Sequence, residues 1–175
     1  PLRGSKLTTY EGGLRVPCIA YCQGTIQAGV TSGVVSHAMD WYPTLASLAG
    51  ISVTEEVVLD GRDLSSLLTG KTKTVPEFKK GISLNADVPL RRDFQSDREW
   101  GTTFTRDDYI NAFFYHGSHG ALAAVRSGKW KLILNPGLVL YDLANDPGEH
   151  KPVNDPKMKR KLRGMTILFQ REMQD

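Results

Sequence analysis

The sequence predicts an α/β fold in which a strand-and-helix part is followed by a small antiparallel sheet packed on a C-terminal helix. Three patterns support this prediction: the apolar run "VPCIAYC", a capped amphipathic helix after it, and three closely spaced apolar runs ahead of a helical stripe. The 175 residues are 40% apolar with moderate charge, which is typical of a globular domain that buries a core of its own.

The apolar run lies in "RVPCIAYCQG", which predicts a buried strand that ends at Gly24. Cys18 and Cys22 would stand about 13 Å apart in it, at a rise of about 3.3 Å per residue. A disulfide needs Cα atoms within about 7 Å, so we predict two buried free thiols. Such a strand is not stable with an open edge, so a partner polypeptide or a longer form of this protein is expected to complete its sheet.

Helix signals follow the strand. In "DWYPTLASLAG", Asp40 is predicted to be the N-cap, Pro43 fits the first turn, and Gly50 ends the helix. The predicted apolar face consists of Trp41, Leu45, Leu48 and Ala49. A second, short helix is predicted from Asp63 to Gly70 by the same chemistry.

The rest of the chain divides into an irregular stretch and a sheet-plus-helix unit. From Lys71 to Asp108 no period of 2 or 3.6 is sustained, which indicates a surface excursion or a domain junction. The apolar runs "YINAFFYH", "LAAVRSGKWKLIL" and "LVLYDL" are separated by Gly- and Pro-containing turns, which predicts an antiparallel meander of about four strands. The final helix presents one apolar stripe toward that sheet: Met158, Leu162, Met165, Phe169 and Met173.

Charge and hydropathy give little direct evidence of function. The net charge of +3 is small, and the basic run "KMKRKLR" fits a solvated helix face, so no nucleic-acid partner is predicted. No apolar run is long enough to span a membrane, so no membrane partner is predicted either, and "PLRGSK" does not resemble a signal peptide. Pro1 is not an initiator methionine, so residues upstream are expected.

Four blocks, in order, carry a resemblance to a known family. They are "GSKLTTYEGGLRVPCIAYCQGTI", "HAMDWYPTLASLAG", "LDGRDLSSLLTGK", and "AAVRSGKWKLI" with "LYDLANDPGEH". Together they resemble the C-terminal portion of a type I sulfatase, the arylsulfatase family, whose fold is an alkaline-phosphatase-like α/β sandwich. The resemblance implies that residues 1–75 are the C-terminal end of the main sulfatase domain, 76–107 an excursion or junction, and 108–175 a small C-terminal subdomain.

The resemblance assigns Lys6 a catalytic role. In the family a lysine five residues before Glu-Gly-Gly contacts the sulfate group of the substrate, and Lys6 matches that position. The physical reason is independent of the family, because a fixed ammonium stabilises the negative charge that gathers on the leaving oxygen as the S–O bond breaks. Without the surrounding blocks, Lys6 would be interpreted as a solvated surface charge.

The neighbours of Lys6 are assigned mainly structural roles. Gly12 and Gly13 are predicted to give the backbone freedom for a sharp turn, while Glu11 and Arg15 hold that turn by hydrogen bonds and charge. The polar residues between Lys6 and that turn are candidates for the rim of the pocket: Thr8, Thr9 and Tyr10.

His116 and His119, in "HGSHG", are predicted substrate-binding residues. A histidine near its usual pKa can donate a proton or a hydrogen bond to a substrate, and a loop of similar composition approaches the active site in many relatives. The spacing departs from the commoner form of the family, so the sequence leaves open which of the two reaches the site. His37 and His150 are interpreted as surface or capping residues.

The family's cofactors are not expected in this chain. The resemblance implies a formylglycine, made from a cysteine in Cys-x-Pro/Ser-x-Arg, and a calcium ion held by oxygen ligands, both in the full-length protein. Neither Cys18 nor Cys22 fits that motif, and no metal ligand is assigned here. The chain is therefore expected to need a missing N-terminal half of the same protein and to be inactive alone. A secreted or periplasmic location is implied by the resemblance only.

The sequence leaves the function open between three classes. The first is a sulfatase portion that acts on a sulfate-ester substrate. The second is a related hydrolase of phosphate or phosphonate esters with a different nucleophile. The third is a non-catalytic module that binds an anionic glycan or a partner protein. Specificity lies in surface loops that carry no readable pattern here.

Overall fold

A four-stranded antiparallel sheet and a long C-terminal helix dominate the computed structural model, which describes residues 2–54, 59, 61–73, 112–117, 120–135 and 137–172. The strands are β1 (Ala112–His116), β2 (Leu122–Ser127), β3 (Trp130–Ile133) and β4 (Val139–Asp142). They pair in the order β1-β2-β3-β4, each antiparallel to the next. The predicted antiparallel meander of about four strands is confirmed.

The C-terminal helix covers one face of this sheet. It runs from Pro156 to Glu172 and is named α4, the fourth α-helix among the described residues; the three earlier ones are given below. Leu162 and Met165 are fully buried, and they pack with apolar side chains from three strands of the sheet: Val125, Leu132 and Leu140. Met158 and Phe169 also contact this core, which confirms the predicted helical stripe as far as Phe169. Met173 lies outside the described residues.

The opposite face of the sheet carries a second core and receives the N-terminal segment. Ala124, Ile133 and Tyr141 are buried there, and Tyr10 and Tyr115 pack against them. The side chains alternate along each strand, so this face also carries Lys131 in the middle of β3. The residues up to Pro17 belong to the same compact unit as the sheet and α4.

A separate compact unit begins at Cys18 and contains two of the remaining helices. Helix α2 (Trp41–Leu48) follows a 3₁₀ turn at Ala38–Asp40, and α3 spans Ser65–Leu68. Helix α2 ends in a Schellman arrangement, since Gly50 has φ +70° and the Ile51 N–H donates to the carbonyl of Ala46 at 2.8 Å. Both predicted helices are confirmed, although α3 is shorter than predicted.

Asp40 joins these helices in a way that the sequence does not predict. It is 1% exposed, and its carboxylate accepts from the backbone N–H of His37 at 2.8 Å and of Arg62 at 2.7 Å, instead of capping α2 by its side chain. Gly61 permits this approach, because a Cβ there would lie 2.0 Å from the carbonyl oxygen of Met39. Helix α2 buries Pro43 and Thr44, whereas the predicted face residue Leu45 is 58% exposed.

The prediction of a buried strand at "VPCIAYC" is wrong for the structure of this chain. Residues 16–22 form no strand, and Val16, Ile19 and Tyr21 are 79%, 92% and 82% exposed. Among the described residues no neighbouring strand pairs with this segment, so its apolar side chains have nothing to pack against. Cys18 and Cys22 are free, as predicted, but exposed and not buried.

The predicted boundaries at residues 75 and 107 stay a prediction. Most of the stretch from Lys71 to Asp108 lies outside the described residues, which stop at residue 73 and resume at residue 112.

Candidate active site

Lys6 stands at the exposed tip of a tight turn. The turn closes through a hydrogen bond from the Thr8 N–H to the carbonyl of Ser5 at 3.0 Å, and the Thr8 hydroxyl donates to the same carbonyl at 2.7 Å. Leu7 has φ +74°, the sign that a type II turn needs at its third position and that a non-glycine residue seldom adopts. Within the described residues the Lys6 ammonium has no hydrogen-bond or ion-pair partner, so its charge is exposed to solvent and available to bind an anion.

The Gly12-Gly13 pair supports this turn by permitting close approach. Both glycines lie in α1 (Glu11–Leu14), a single helical turn. A Cβ on Gly12 would lie 2.6 Å from the carbonyl oxygens of Arg3 and Gly4, and one on Gly13 would lie 2.3 Å from the carbonyl of Thr8. Neither has a positive φ, so the predicted reason for these glycines, backbone freedom, is wrong. What matters is that the turn carrying Lys6 lies directly on their backbone.

Glu11, which begins α1, lies in a buried cluster of charges. Its Oε1 accepts from the Lys131 ammonium at 2.8 Å, and its Oε2 accepts from Arg15 Nε at 2.6 Å, with Arg126 Nη1 at 3.7 Å. Lys131 is 0% exposed and also lies 2.9 Å from Glu149 Oε1. Burying a charge is costly unless it is paired, and here two anions lie among three cations. This confirms the structural role predicted for Glu11 and Arg15.

Glu149 contacts both ends of the segment that carries Lys6. Its Oε2 accepts from the backbone N–H of Glu11 at 2.5 Å, and its carbonyl accepts from Arg3 Nη1 at 3.1 Å. The same Arg3 nitrogen donates to the Tyr141 hydroxyl at 3.0 Å, and its guanidinium lies over the ring of Tyr10. Glu149 is fully buried with φ +55°, a strained conformation for a non-glycine residue.

The cluster shifts the ionisation of its members. Burial alone raises the pKa of Glu11, but hydrogen bonds from Lys131 and Arg15 and the charge of Arg126 outweigh it, so that pKa lies below its ordinary value of 4.5. Burial also raises the pKa of Tyr115 to about 12, although Arg126 opposes this. Near neutral pH the site therefore holds an ionised Glu11 beside a neutral Tyr115.

Curated relatives with known names match most of this chain. No family profile matches it. Arylsulfatase G of Rattus norvegicus is 43% identical over 175 residues, 98% of this chain and 31% of that protein. Arylsulfatase A of Homo sapiens is 36% identical over 154 residues (85% and 28%), and human steryl-sulfatase is 30% identical over 177 residues (98% and 30%). The chain matches the C-terminal part of a sulfatase.

The fold agrees with the sulfatase match. A solved structure from work on glycosaminoglycan metabolism by Bacteroides thetaiotaomicron, abbreviated there as a sulfatase, superposes with a TM-score of 0.62 at 20% identity. The superposed region covers 98% of this chain and 32% of the other chain. This structural similarity fits the predicted alkaline-phosphatase-like α/β fold. The chain spans less than a third of the length of the three curated relatives named above.

The candidate histidines of this sulfatase segment lie elsewhere or outside the described residues. His116 ends β1 at an irregularity of register, and its ring lies 5.8 Å from that of Phe169, on the face that α4 covers. The segment that carries Lys6 packs on the opposite face, and no hydrogen bond or ion pair joins it to His116 among the described residues. His119 lies outside the described residues. The substrate-binding role of both stays a prediction.

Sequence reasoning did not find four charged residues that hold the segment of Lys6. Arg126, Lys131 and Glu149 contact Glu11 from the C-terminal part of the chain, and Arg3 lies in the segment itself. One signal was available: Lys131 stands in "KWKLIL" at an inward position of an apolar strand, where a lysine needs a buried anion. Which anion it meets depends on a contact 120 residues distant along the chain, which no local pattern contains.

The described residues do not supply a metal site for a sulfatase. No group of three or more His, Cys, Asp and Glu side chains comes together in this part of the chain. Three oxygens of the buried carboxylates of Glu11 and Glu149 contact Lys131 or Arg15. The fourth, Glu149 Oε2, accepts from the backbone N–H of Glu11, so all four already have protein partners. In the same residues, no helix has both the length and the apolar character needed to cross a bilayer.

Proposed function

We propose that this chain is part of an enzyme that hydrolyses sulfate esters and that Lys6 contacts the sulfate group. The sulfatase match over 98% of the chain supports the reaction class. The role of Lys6 is supported by its geometry. Its ammonium is exposed and has no partner in the described residues, and its turn packs on the backbone of Gly12 and Gly13. The nucleophile and the metal ligands belong to a part of the protein outside this chain.

Lys6 binds and orients the substrate in this proposal. A sulfate ester carries a fixed negative charge, and further charge gathers on the leaving oxygen as the S–O bond breaks. An ammonium that is already aimed at this position stabilises the transition state more than the ground state and needs no reorganisation during the reaction. The hydrogen-bonded turn from Ser5 to Thr8 fixes the backbone from which the Lys6 side chain projects, which supports this role.

The calcium ion and the formylglycine of the family are proposed to lie in the same upstream part. The described residues of this chain do not fit either group, since no oxygen-ligand cluster is present and Cys18 and Cys22 lack the required motif. We also propose that this upstream part covers the exposed apolar segment of residues 16–21, because an apolar run of this kind is stable when neighbouring strands bury it.

The test is the activity of the full-length enzyme on 4-nitrophenyl sulfate as wild type, Lys6→Ala and Lys6→Arg. Losing one fixed donor to the developing charge is expected to lower turnover about 10²–10³-fold. Arginine keeps the charge but replaces a compact ammonium by a planar fork, so it is expected to restore a minor part only. Stability is expected to change little, because Lys6 is exposed and unpaired in the described structure.

Lys157→Ala is the matched control, since Lys157 is also an exposed lysine and lies on α4. It is expected to leave turnover unchanged. If Lys6→Ala keeps more than about half of wild-type turnover, far from the loss expected for an oxyanion donor, the assignment of Lys6 is wrong. Faster turnover of 4-nitrophenyl phosphate than of the sulfate would instead favour the phosphate-ester alternative.

A further inference from the structure

The buried ammonium of Lys131 is not explained by packing. It is 0% exposed and lies between two carboxylates, at 2.8 Å from Glu11 Oε1 and 2.9 Å from Glu149 Oε1. A buried ion pair is weak evidence for stability, because well-packed apolar residues of similar volume often stabilise a fold as much. The cluster does fix positions: Lys131 donates a hydrogen bond to Glu11 Oε1, and its ion pair with Glu149 Oε1 holds the second carboxylate beside the first.

Both carboxylates that Lys131 contacts are tied to the segment that bears Lys6. Glu11 directly precedes the two glycines on which the turn rests, and the Gly12 N–H donates to the carbonyl of Arg3 at 2.7 Å. Glu149 accepts from the backbone N–H of Glu11 and, through its carbonyl, from Arg3. The segment from Arg3 to Glu11 is thus fastened to Glu149 at both of its ends.

We infer that Lys131 is a positioning residue for Lys6: by holding Glu11 and Glu149 together it fixes α1 and the segment, residues 3–11, whose turn presents the sulfate-contacting ammonium. The inference rests on the proposed function, and it adds a residue of the C-terminal sheet to the active site of the upstream domain. Without the Lys131 charge, Glu11 would keep Arg15 and Arg126, but the buried Glu149 carboxylate would lose the cation that lies between it and Glu11, and the repulsion between the two carboxylates would move α1 and the turn that lies on it.

The expected loss of kcat follows from how far a catalytic group can be displaced before the rate falls. A displacement of about 1 Å at a catalytic group can cost up to about 10²-fold in rate. Lys131→Met, which keeps the approximate volume but removes the charge, is therefore expected to lower kcat about 10–100-fold in folded enzyme. The loss should depend on Lys6, because Lys131 touches no reacting atom in this proposal.

The experiment is a double-mutant cycle in the full-length enzyme, with 4-nitrophenyl sulfate as the substrate. Lys131→Met is made in the wild type and in Lys6→Ala, and kcat is corrected for the folded fraction by circular dichroism and thermal unfolding. Lys129→Met is the matched control, since Lys129 lies in the same hairpin and pairs with Asp142 at 2.7 Å, but its side chain is 47% exposed and far from α1 in its contacts. We expect Lys129→Met to leave kcat unchanged.

The supporting result is a loss in the wild type that disappears, to within about twofold, when Lys6 is already alanine. An equal loss in both backgrounds, or no loss in folded enzyme, would overturn the inference, because a purely structural lysine acts independently of Lys6. If Lys131→Met does not fold, Glu149→Gln decides by the same criterion, since its amide oxygen still accepts from the Glu11 N–H. A Lys6→Ala enzyme with nearly full activity would refute the proposed function itself and this inference with it.

Discussion

Glu11 keeps its negative charge in a buried position because cations surround it. Lys131, Arg15 and Arg126 lie within 3.7 Å of its oxygens, and the hydrogen bonds outweigh the cost of burial. The consequence at the scale of one residue is that Glu11 serves structure and not proton transfer. Lys6 is the opposite case, an exposed cation with no partner in the described residues.

The lowered pKa of Glu11 predicts how stability depends on pH. Since the pKa of the folded state lies below that of the unfolded state, the contribution of Glu11 is fully present above about pH 4.5 and is lost as the pH falls through the folded-state pKa. We expect wild type to be more stable than Glu11→Gln near neutral pH and this difference to shrink under acid conditions. Urea unfolding of both proteins at a series of pH values measures it, and a difference that grows on acidification would contradict the prediction.

Helix α1 has only four residues, too few to be stable without tertiary contacts. Three contacts fix it: the Glu149 carboxylate at its first N–H, the ion pairs of Glu11, and the backbone of residues 3–8 against its two glycines. At the scale of the element, α1 therefore connects the sheet to the turn of Lys6 and supports that turn.

Gly13→Ala tests whether α1 supports the turn of Lys6 through close backbone contact. The new Cβ would lie 2.3 Å from the Thr8 carbonyl oxygen, so the turn must move, and we expect a loss of about 1–3 kcal/mol in the free energy of unfolding together with lower turnover. Gly117→Ala is the control, because a Cβ there meets only ordinary contacts at 3.6 Å and 3.7 Å and should change stability by less than about 0.5 kcal/mol. Equal effects of the two substitutions on unfolding would show that close approach at Gly13 is unimportant.

At the scale of the whole molecule, the chain contributes one side of the proposed active site. It spans 31% of rat arylsulfatase G and 28% of human arylsulfatase A, and its described residues contain no metal-ligand cluster. A lysine that stabilises a transition state cannot perform the reaction without a nucleophile.

The isolated chain is therefore expected to have no sulfatase activity at any calcium concentration. Turnover of 4-nitrophenyl sulfate by the pure chain is compared with that of a heat-treated sample of the same chain. Activity above that background would show that the chain holds a complete catalytic site. It would contradict the proposal that the nucleophile and the metal ligands lie outside this chain.

The sequence by itself determined the elements whose signals are local. The turns "GSHG" and "NPG" separate the apolar runs of the meander, Gly50 ends α2, and the stripe through Leu162 and Met165 faces the sheet, because turn chemistry and helical period act over a few residues. The resemblance of "KLTTYEGG" to the sulfatase motif likewise needs no coordinates.

Only the tertiary structure decided what surrounds those elements. Residues 16–21 have strand-like composition but form no strand. A strand is stabilised by pairing with neighbouring strands, and among the described residues none pairs with this segment. The charge cluster joins Glu11 to Lys131 and Glu149, which are 120 and 138 residues further along the chain. The sequence predicts that the glycines of α1 give backbone freedom for a sharp turn, but they act by omitting a Cβ, since the requirement comes from a backbone that folds back onto them.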